Sequence, residues 1–277
     1  MHGKTFGKSF MKKSKKSETA HKHEKGSAAR ASVIGPTKPG RWLAGSSSRG
    51  KWMIGIDEVG RGPLAGPVTV GAVSFFVDMN DARGYTELRN KLMEISGKEY
   101  PVGVDSKKMK ESDRDFWYEI VLKLARSCDL HAVTSSASAS MIDKKGIAVC
   151  IKELVDVNLK KLSRKFKIAG SLGETSDSMH DSLSQMQVLL DGGLKTALSV
   201  DSQKTIIKGD EKELLISLAS VYAKVTRDNH MRKLSKNPKY SAYGFDMHKG
   251  YGTLKHRRAM KKHGLSDEHR KSFCKKF

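Results

Sequence analysis

The sequence predicts an α/β domain, a central sheet flanked by helices, with a helical C-terminal part. Three observations carry that expectation. Short runs rich in Val, Ile, Leu and Phe, bounded by Gly, Pro or an acid, recur at Trp52–Ile56, Val68–Val77 and Val188–Leu190 and read as buried strands. The stretch Glu213–Leu234 is apolar nearly all round at helical spacing, as a buried helix is. The last part of the chain is basic and rich in Gly and His, with a helix expected over Lys255–His263 and stopped by Gly264.

In chain order, residues 1–50 come first. They hold twelve of the 52 Lys and Arg but two of the 30 acids, with few large apolar residues. Such a segment buries too little to offset the entropy of ordering and is expected to be a disordered basic tail. Lys12–Lys16 reads as a nucleic-acid patch, a localisation signal or a solvated run. The rest is basic too, within a net charge of +22 over 277 residues, which points to a polyanionic partner. Cys128, Cys150 and Cys274 are an odd, scattered set, against a disulfide framework or a zinc site. With no apolar run near the roughly 18 residues a membrane span needs and no signal-peptide core, the expectation is a cytoplasmic protein.

The first two strands are followed by a helix-prone connection, Asp78–Lys98, then Asp105-Ser-Lys107-Lys108 and a helix over Ser112–Ser127 with Ser112 as its N-cap. His131–Ser138 alternates weakly and reads as an edge strand. Met141–Leu162 carries Ile147, Cys150, Ile151, Leu154, Val155 and Leu159 at helical spacing. Residues 163–186, basic and then Ser-, Gly- and Asp-rich, read as a flexible insertion. Thr205–Ile207 is the last strand. The domain thus spans 51–273.

Chemistry concentrates where strands end. Asp57 and Glu58 follow the first apolar run and Asp191 follows Val188–Leu190, each next to glycines. A lone acid at a strand end is usually a turn residue, but a buried carboxylate is costly unless it is paired or metal-bound. On the long helix Ser217, Ser220, Lys224 and Asp228 form one polar stripe. It either faces a site or closes on itself as a Lys224–Asp228 pair. The histidines at 248, 256, 263 and 269 have no zinc-finger spacing and read as packing or phosphate contacts.

The string Asp57-Glu-Val-Gly60-Arg61-Gly62-Pro-Leu-Ala-Gly-Pro67 resembles the opening motif of the ribonuclease HII family, with Val59 where that family commonly has Ala. Asp105-Ser-Lys-Lys, Lys208-Gly-Asp210, Ala219–Asp228, His248-Lys-Gly-Tyr-Gly-Thr253 and His269–Phe273 resemble further motifs, in the family's order. Gly146 and Gly193 depart from it, standing where the family often has Asn and a larger residue. The resemblance implies a ribonuclease H-like, mixed five-stranded sheet. It implies an endoribonuclease that cuts on the 5′ side of ribonucleotides in DNA or in RNA/DNA hybrids and so removes misincorporated ribonucleotides. It implies two Mg²⁺ or Mn²⁺ ions held by Asp57, Glu58, Asp191 and Asp228, and substrate contacts from Gly60, Arg61, Gly62, Lys107, Lys108, Lys208, Ser220, Lys224, Lys249 and Tyr251. The expected protein is a monomer without a membrane partner. The alternatives are a nuclease of related fold with another substrate, or a non-catalytic basic nucleic-acid-binding protein.

Overall fold

Glycine fixes how sheet and helix meet. The first strand, β1 (Gly50–Val59), pairs antiparallel with β2 (Val68–Asp78), which pairs antiparallel with β3 (His131–Ala137). On the other side β1 pairs parallel with β4 (Met186–Asp191), and β4 with β5 (Ser202–Ile206). The sheet therefore runs β3-β2-β1-β4-β5, mixed and five-stranded, with the weakly alternating β3 at one edge as expected. The computed structural model describes residues 50–78, 85–101, 106, 108–127, 129–168 and 183–275. The basic tail up to residue 49, Lys107, Cys128 and residues 169–182 of the expected insertion lie outside them.

Alternation along the strands sends side chains to two cores. On one face Ile54, Ile56, Val68, Val70 and Val188 pack on Ile151, Leu154, Val155, Leu159 and Phe166 of α4 (Ile147–Ile168). On the other, Val73 and Phe75 pack with α1 (Thr86–Ser96), α2 (Glu111–Arg126) and α6 (Leu214–Lys236), the helix that follows the short α5 (Gly209–Lys212). Gly55 and Gly71 let α6 lie directly on the sheet: a Cβ at 55 would come within 2.1 Å of the Leu215 backbone, and one at 71 within 2.6 Å of the Ala219 carbonyl. Asp57 stands opposite Gly71 in the antiparallel register and shares its face, so α6 passes beside it.

Several boundaries differ from the sequence expectation, among them β5, which runs Ser202–Ile206 rather than Thr205–Ile207. The helix expected over Met141–Leu162 is two, α3 (Ala139–Lys145) and α4, because Gly146 at φ 81° breaks the ladder; Ser138 caps the first, accepting the Met141 amide at 3.3 Å. Ser112 lies inside the first turn of α2, whose cap position is Lys110. The helix α4 continues to Ile168, with Ser163 and Phe166 buried, past the point where the composition turns basic and polar. A third core of Ala65, Met231, Tyr240, Tyr243 and Phe245 joins the end of α6 to α7 (Phe245–His248) and α8 (Leu254–His263). Cys150 and Cys274 are buried free thiols. Among the described residues no helix is long and apolar enough to cross a membrane.

Candidate active site

Parallel pairing brings the acids together. Ile56 is level with Leu190, so Asp57 and Asp191, the next residue on each strand, leave the sheet side by side. One carboxylate oxygen from each of Asp57, Glu58 and Asp191 lies within 4.8 Å of the others. Asp57 is buried and accepts the Glu58 amide at 2.7 Å and the Ser220 hydroxyl. The Ser220 oxygen lies 2.7 Å from that of Ser106; with the Ser220 proton on Asp57, Ser106 donates to Ser220. Burial pushes the Asp57 carboxyl well above the usual range; the Ser220 bond pulls it back, and Glu58 and Asp191 add to the rise by repulsion. Asp191 accepts the Gly209 amide at 2.6 Å, which docks the β5–α5 turn onto the cluster. An all-oxygen donor set of crowded carboxylates suits a hard divalent cation of the Mg²⁺ or Mn²⁺ kind.

Asp228 does not join this group. Both of its oxygens accept from Lys224 Nζ, at 2.7 and 2.8 Å, in a mostly buried ion pair. It stands eight residues beyond Ser220 on α6, about 12 Å of helical rise. The polar stripe thus divides: Ser220 faces the site, Ser217 pairs with the Tyr100 hydroxyl at 2.9 Å, and Lys224 and Asp228 satisfy each other. Asp210, 6% exposed, directly follows the glycine that caps Asp191, which brings its backbone beside the cluster. The sequence carried a signal for it, a strand end, a glycine and an acid at Ile207–Asp210, with the glycine before the acid rather than after it as at Asp57.

The other expected contacts take several positions. Gly60 (φ 87°) is packed on Arg227, where a Cβ would sit 2.3 Å from Nε. Arg61 and Gly62 are exposed, and Arg61 Nε lies 3.1 Å from Glu58. Lys108 is exposed, with Nζ 3.5 Å from Glu211 of α5. Lys208 is exposed, and Lys208 and Lys249 are the two non-glycine described residues at positive φ, 55° and 51°. Tyr251 is 39% exposed, its ring 6.0 Å from the Arg227 guanidinium carbon. Asp105 and Lys107 lie outside the described residues. Arg227 and Arg270, both fully buried, were not singled out by the sequence.

A sequence model described as Ribonuclease HII matches residues 54–276. The chain belongs to the ribonuclease HII family. It is 34% identical over 225 residues to a Ribonuclease HII of Bacillus cereus (strain Q1), covering 80% of this chain and 69% of that protein. It is 36% identical over 227 residues to a Ribonuclease HII of Fusobacterium nucleatum, covering 82% and 87%. A chain in the structure of the PCNA:RNase HII complex from Archaeoglobus fulgidus shares the fold, with TM-score 0.50 and 20% identity over 79% of this chain and 93% of that one. As a member of the ribonuclease HII family, the protein is an endoribonuclease of the ribonuclease H type and acts on nucleic acid. Its acid cluster is a place for a divalent metal.

Proposed function

We propose that the protein hydrolyses the phosphodiester on the 5′ side of a ribonucleotide embedded in a DNA duplex or in an RNA/DNA hybrid, leaving 3′-hydroxyl and 5′-phosphate ends, and so serves removal of misincorporated ribonucleotides in the cytoplasm. The observation that carries this reading is the meeting of Asp57, Glu58 and Asp191 at the ends of two parallel strands. These three, with Asp210 in the place first given to Asp228, would hold two Mg²⁺ or Mn²⁺ ions. Such cations, when bound, make an attacking water more acidic and neutralise charge on the leaving oxygen.

The chain's own residues do the rest. Ser106 and Ser220 orient the Asp57 carboxylate from behind. In the turn Gly60-Arg61-Gly62 the exposed Arg61 and Gly62 offer backbone groups beside the acids, suited to a ribose 2′-hydroxyl, the group that separates RNA from DNA. Tyr251 offers a flat face to the sugar on the deoxyribose side of the junction. Arg61, Lys108, Lys208 and Lys249, together with Lys107, hold the duplex by its phosphates without reading its sequence. Lys224 is withdrawn from that set by its pairing with Asp228.

A duplex with one ribonucleotide, incubated with Mg²⁺ or Mn²⁺ and run beside an all-DNA branched duplex, tests the reading. Nicking of the first alone, abolished by Asp191→Asn with duplex binding retained, is expected. A cut branched duplex, or an Asp191→Asn protein that nicks at the normal rate, overturns it.

A further inference from the structure

Two buried arginines grip the turn between β1 and β2 from below. Arg270 donates from Nε to the Gly66 carbonyl at 2.9 Å, and from its two terminal nitrogens to Arg61 at 3.0 Å and Gly60 at 2.7 Å. Arg227 donates from Nε to Pro67 at 2.8 Å and from one terminal nitrogen to Ala65 at 3.2 Å; its other terminal nitrogen is buried without a partner among the described residues. Five carbonyls of residues 60–67 therefore point inward onto guanidinium groups. Neither arginine makes an ion pair among the described residues. Burial without a carboxylate is an expensive way to hold a loop, and the two charges also oppose each other: burial first, and then Arg227, push Arg270 down to about 9.

The arrangement has a consequence for the outer side of the turn. The amides of Leu64 and Ala65 donate to the Gly250 carbonyl and that of Gly66 to Glu268, which ties the turn to the Tyr251 loop and the C-terminal segment. The exposed Arg61 and Gly62 amides have no acceptor among the described residues. The inward carbonyls thus leave those two amides, beside the acid cluster, for a ligand. Arg227 also lies under the Tyr251 ring, so one side chain supports both the turn and the aromatic face.

We infer that Arg227 and Arg270 are positioning residues for the ribonucleotide-reading turn: the two forks fix the direction of its peptide planes, and hence the placement of the ribose against the metal-binding acids. The inference rests on the proposed function, which assigns the turn to the ribose. A lysine or glutamine cannot reproduce the fork, because each lacks the spread of donors that reaches three carbonyls at once.

The test uses full-length wild type, Arg270→Lys, Arg270→Gln and Arg227→Lys. Three readouts are taken: steady-state nicking of a single-ribonucleotide duplex with Mn²⁺, the Mn²⁺-dependent rise in melting temperature, and amide hydrogen exchange at Leu64, Ala65 and Gly66. Misplacement by about an ångström costs on the order of 100-fold in rate. The expected result is a fall in kcat of about that size with KM within about threefold, faster exchange over 64–66, and a retained Mn²⁺-dependent rise. Unchanged kcat in a variant whose exchange has quickened overturns the inference, as does unchanged exchange. Variants that lose both fold and Mn²⁺ response make the arginines determinants of folding alone, and overturn it as well. If the wild type does not nick, the proposed function fails instead, and the exchange readout still decides whether the guanidinium groups hold the turn.

Discussion

Replacing Asp57 by Asn should stabilise the metal-free protein while destroying its activity. Asp57 is 5% exposed, and one oxygen each of Glu58 and Asp191 lies within 4.8 Å of its own. At that distance and an effective dielectric constant near 20, each like-charged neighbour costs about 3.5 kcal/mol. Burial and then the two neighbours raise the Asp57 pKa, so proton uptake relieves part of this repulsion and the recoverable part is smaller, about 2 kcal/mol. For a domain of this size that is a rise of roughly 4–8 °C in melting temperature. The sign in pH follows. A carboxyl whose folded pKa lies above its unfolded one stabilises below the unfolded value, and that stability is lost as pH rises through the folded value. Melting with EDTA should therefore show the wild type losing stability from acid toward neutral pH through this group, and Asp57→Asn lacking that component. With Mg²⁺ the order reverses, because only the wild type gains from binding. An Asp57→Asn protein that melts below wild type in EDTA, or gains as much from Mg²⁺, would refute the reasoning.

Two further outcomes separate the roles of neighbouring groups. Asp210→Asn should abolish nicking, whereas Asp228→Asn should keep the cluster and measurable nicking but melt lower by about 3 kcal/mol, since it leaves Lys224 buried without its partner; the reverse pattern in a nicking assay and thermal melts would restore Asp228 to the site. Around Tyr251, His256 donates from Nδ1 to the Tyr251 carbonyl at 2.9 Å, while His269 accepts the Ser266 amide at Nδ1 and gives its Nε2 proton to His256 Nε2 at 3.1 Å. Burial pushes both rings down to about 4, so their contribution is complete above the unfolded value of 6.5 and is lost as pH falls toward 4. A full loss at one ring is worth about 3 kcal/mol, opposite in sign to that of Asp57, and His269→Gln should flatten this acid limb in melts taken between pH 7 and 4.5.

The strand-end acids were legible because period and punctuation agree there. An apolar run, an acid and glycines define both where a strand stops and where a carboxylate emerges, and parallel pairing at Ile56 and Leu190 then does the assembly. The stripe on α6 was legible as polar but not as divided. Spacing puts Ser217, Ser220, Lys224 and Asp228 on one face, yet a helix of 23 residues is longer than the site it crosses, and its far half meets a different environment. The i, i+4 spacing of Lys224 and Asp228 is itself the pattern of a pair that needs nothing else, which is how the structure resolves it. Asp210 was overlooked for the opposite reason: it sits in a four-residue helix with no periodicity, and the Gly209 contact to Asp191 is made across 18 positions of sequence. Gly146 was read through because the apolar spacing continues across it, while its φ of 81° ends one helix and starts another. The arginines were invisible because their partners are backbone carbonyls, which carry no residue identity.

Charge imbalance on both sides of the 60–67 turn ties these features together. On one side, among the described residues, Asp57 and Asp191 accept amide or hydroxyl protons but pair with no cationic side chain. On the other, Arg227 and Arg270 donate to carbonyls and pair with no acid. Had stability alone shaped the site, the opposite charges would sit together, as Lys224 and Asp228 do one helix face away. Keeping them apart by a turn of backbone leaves the acids for cations and directs the arginines' donors to the peptide planes above them. Each separation costs stability in the free protein, and the prediction for Asp57 is the measurable half of that cost. The arginine half has the opposite experimental sign: removing those charges removes hydrogen bonds to five carbonyls at once, so the turn loosens rather than relaxes. A site in which deleting the buried acid stabilises and deleting the buried base loosens is organised around what binds between them.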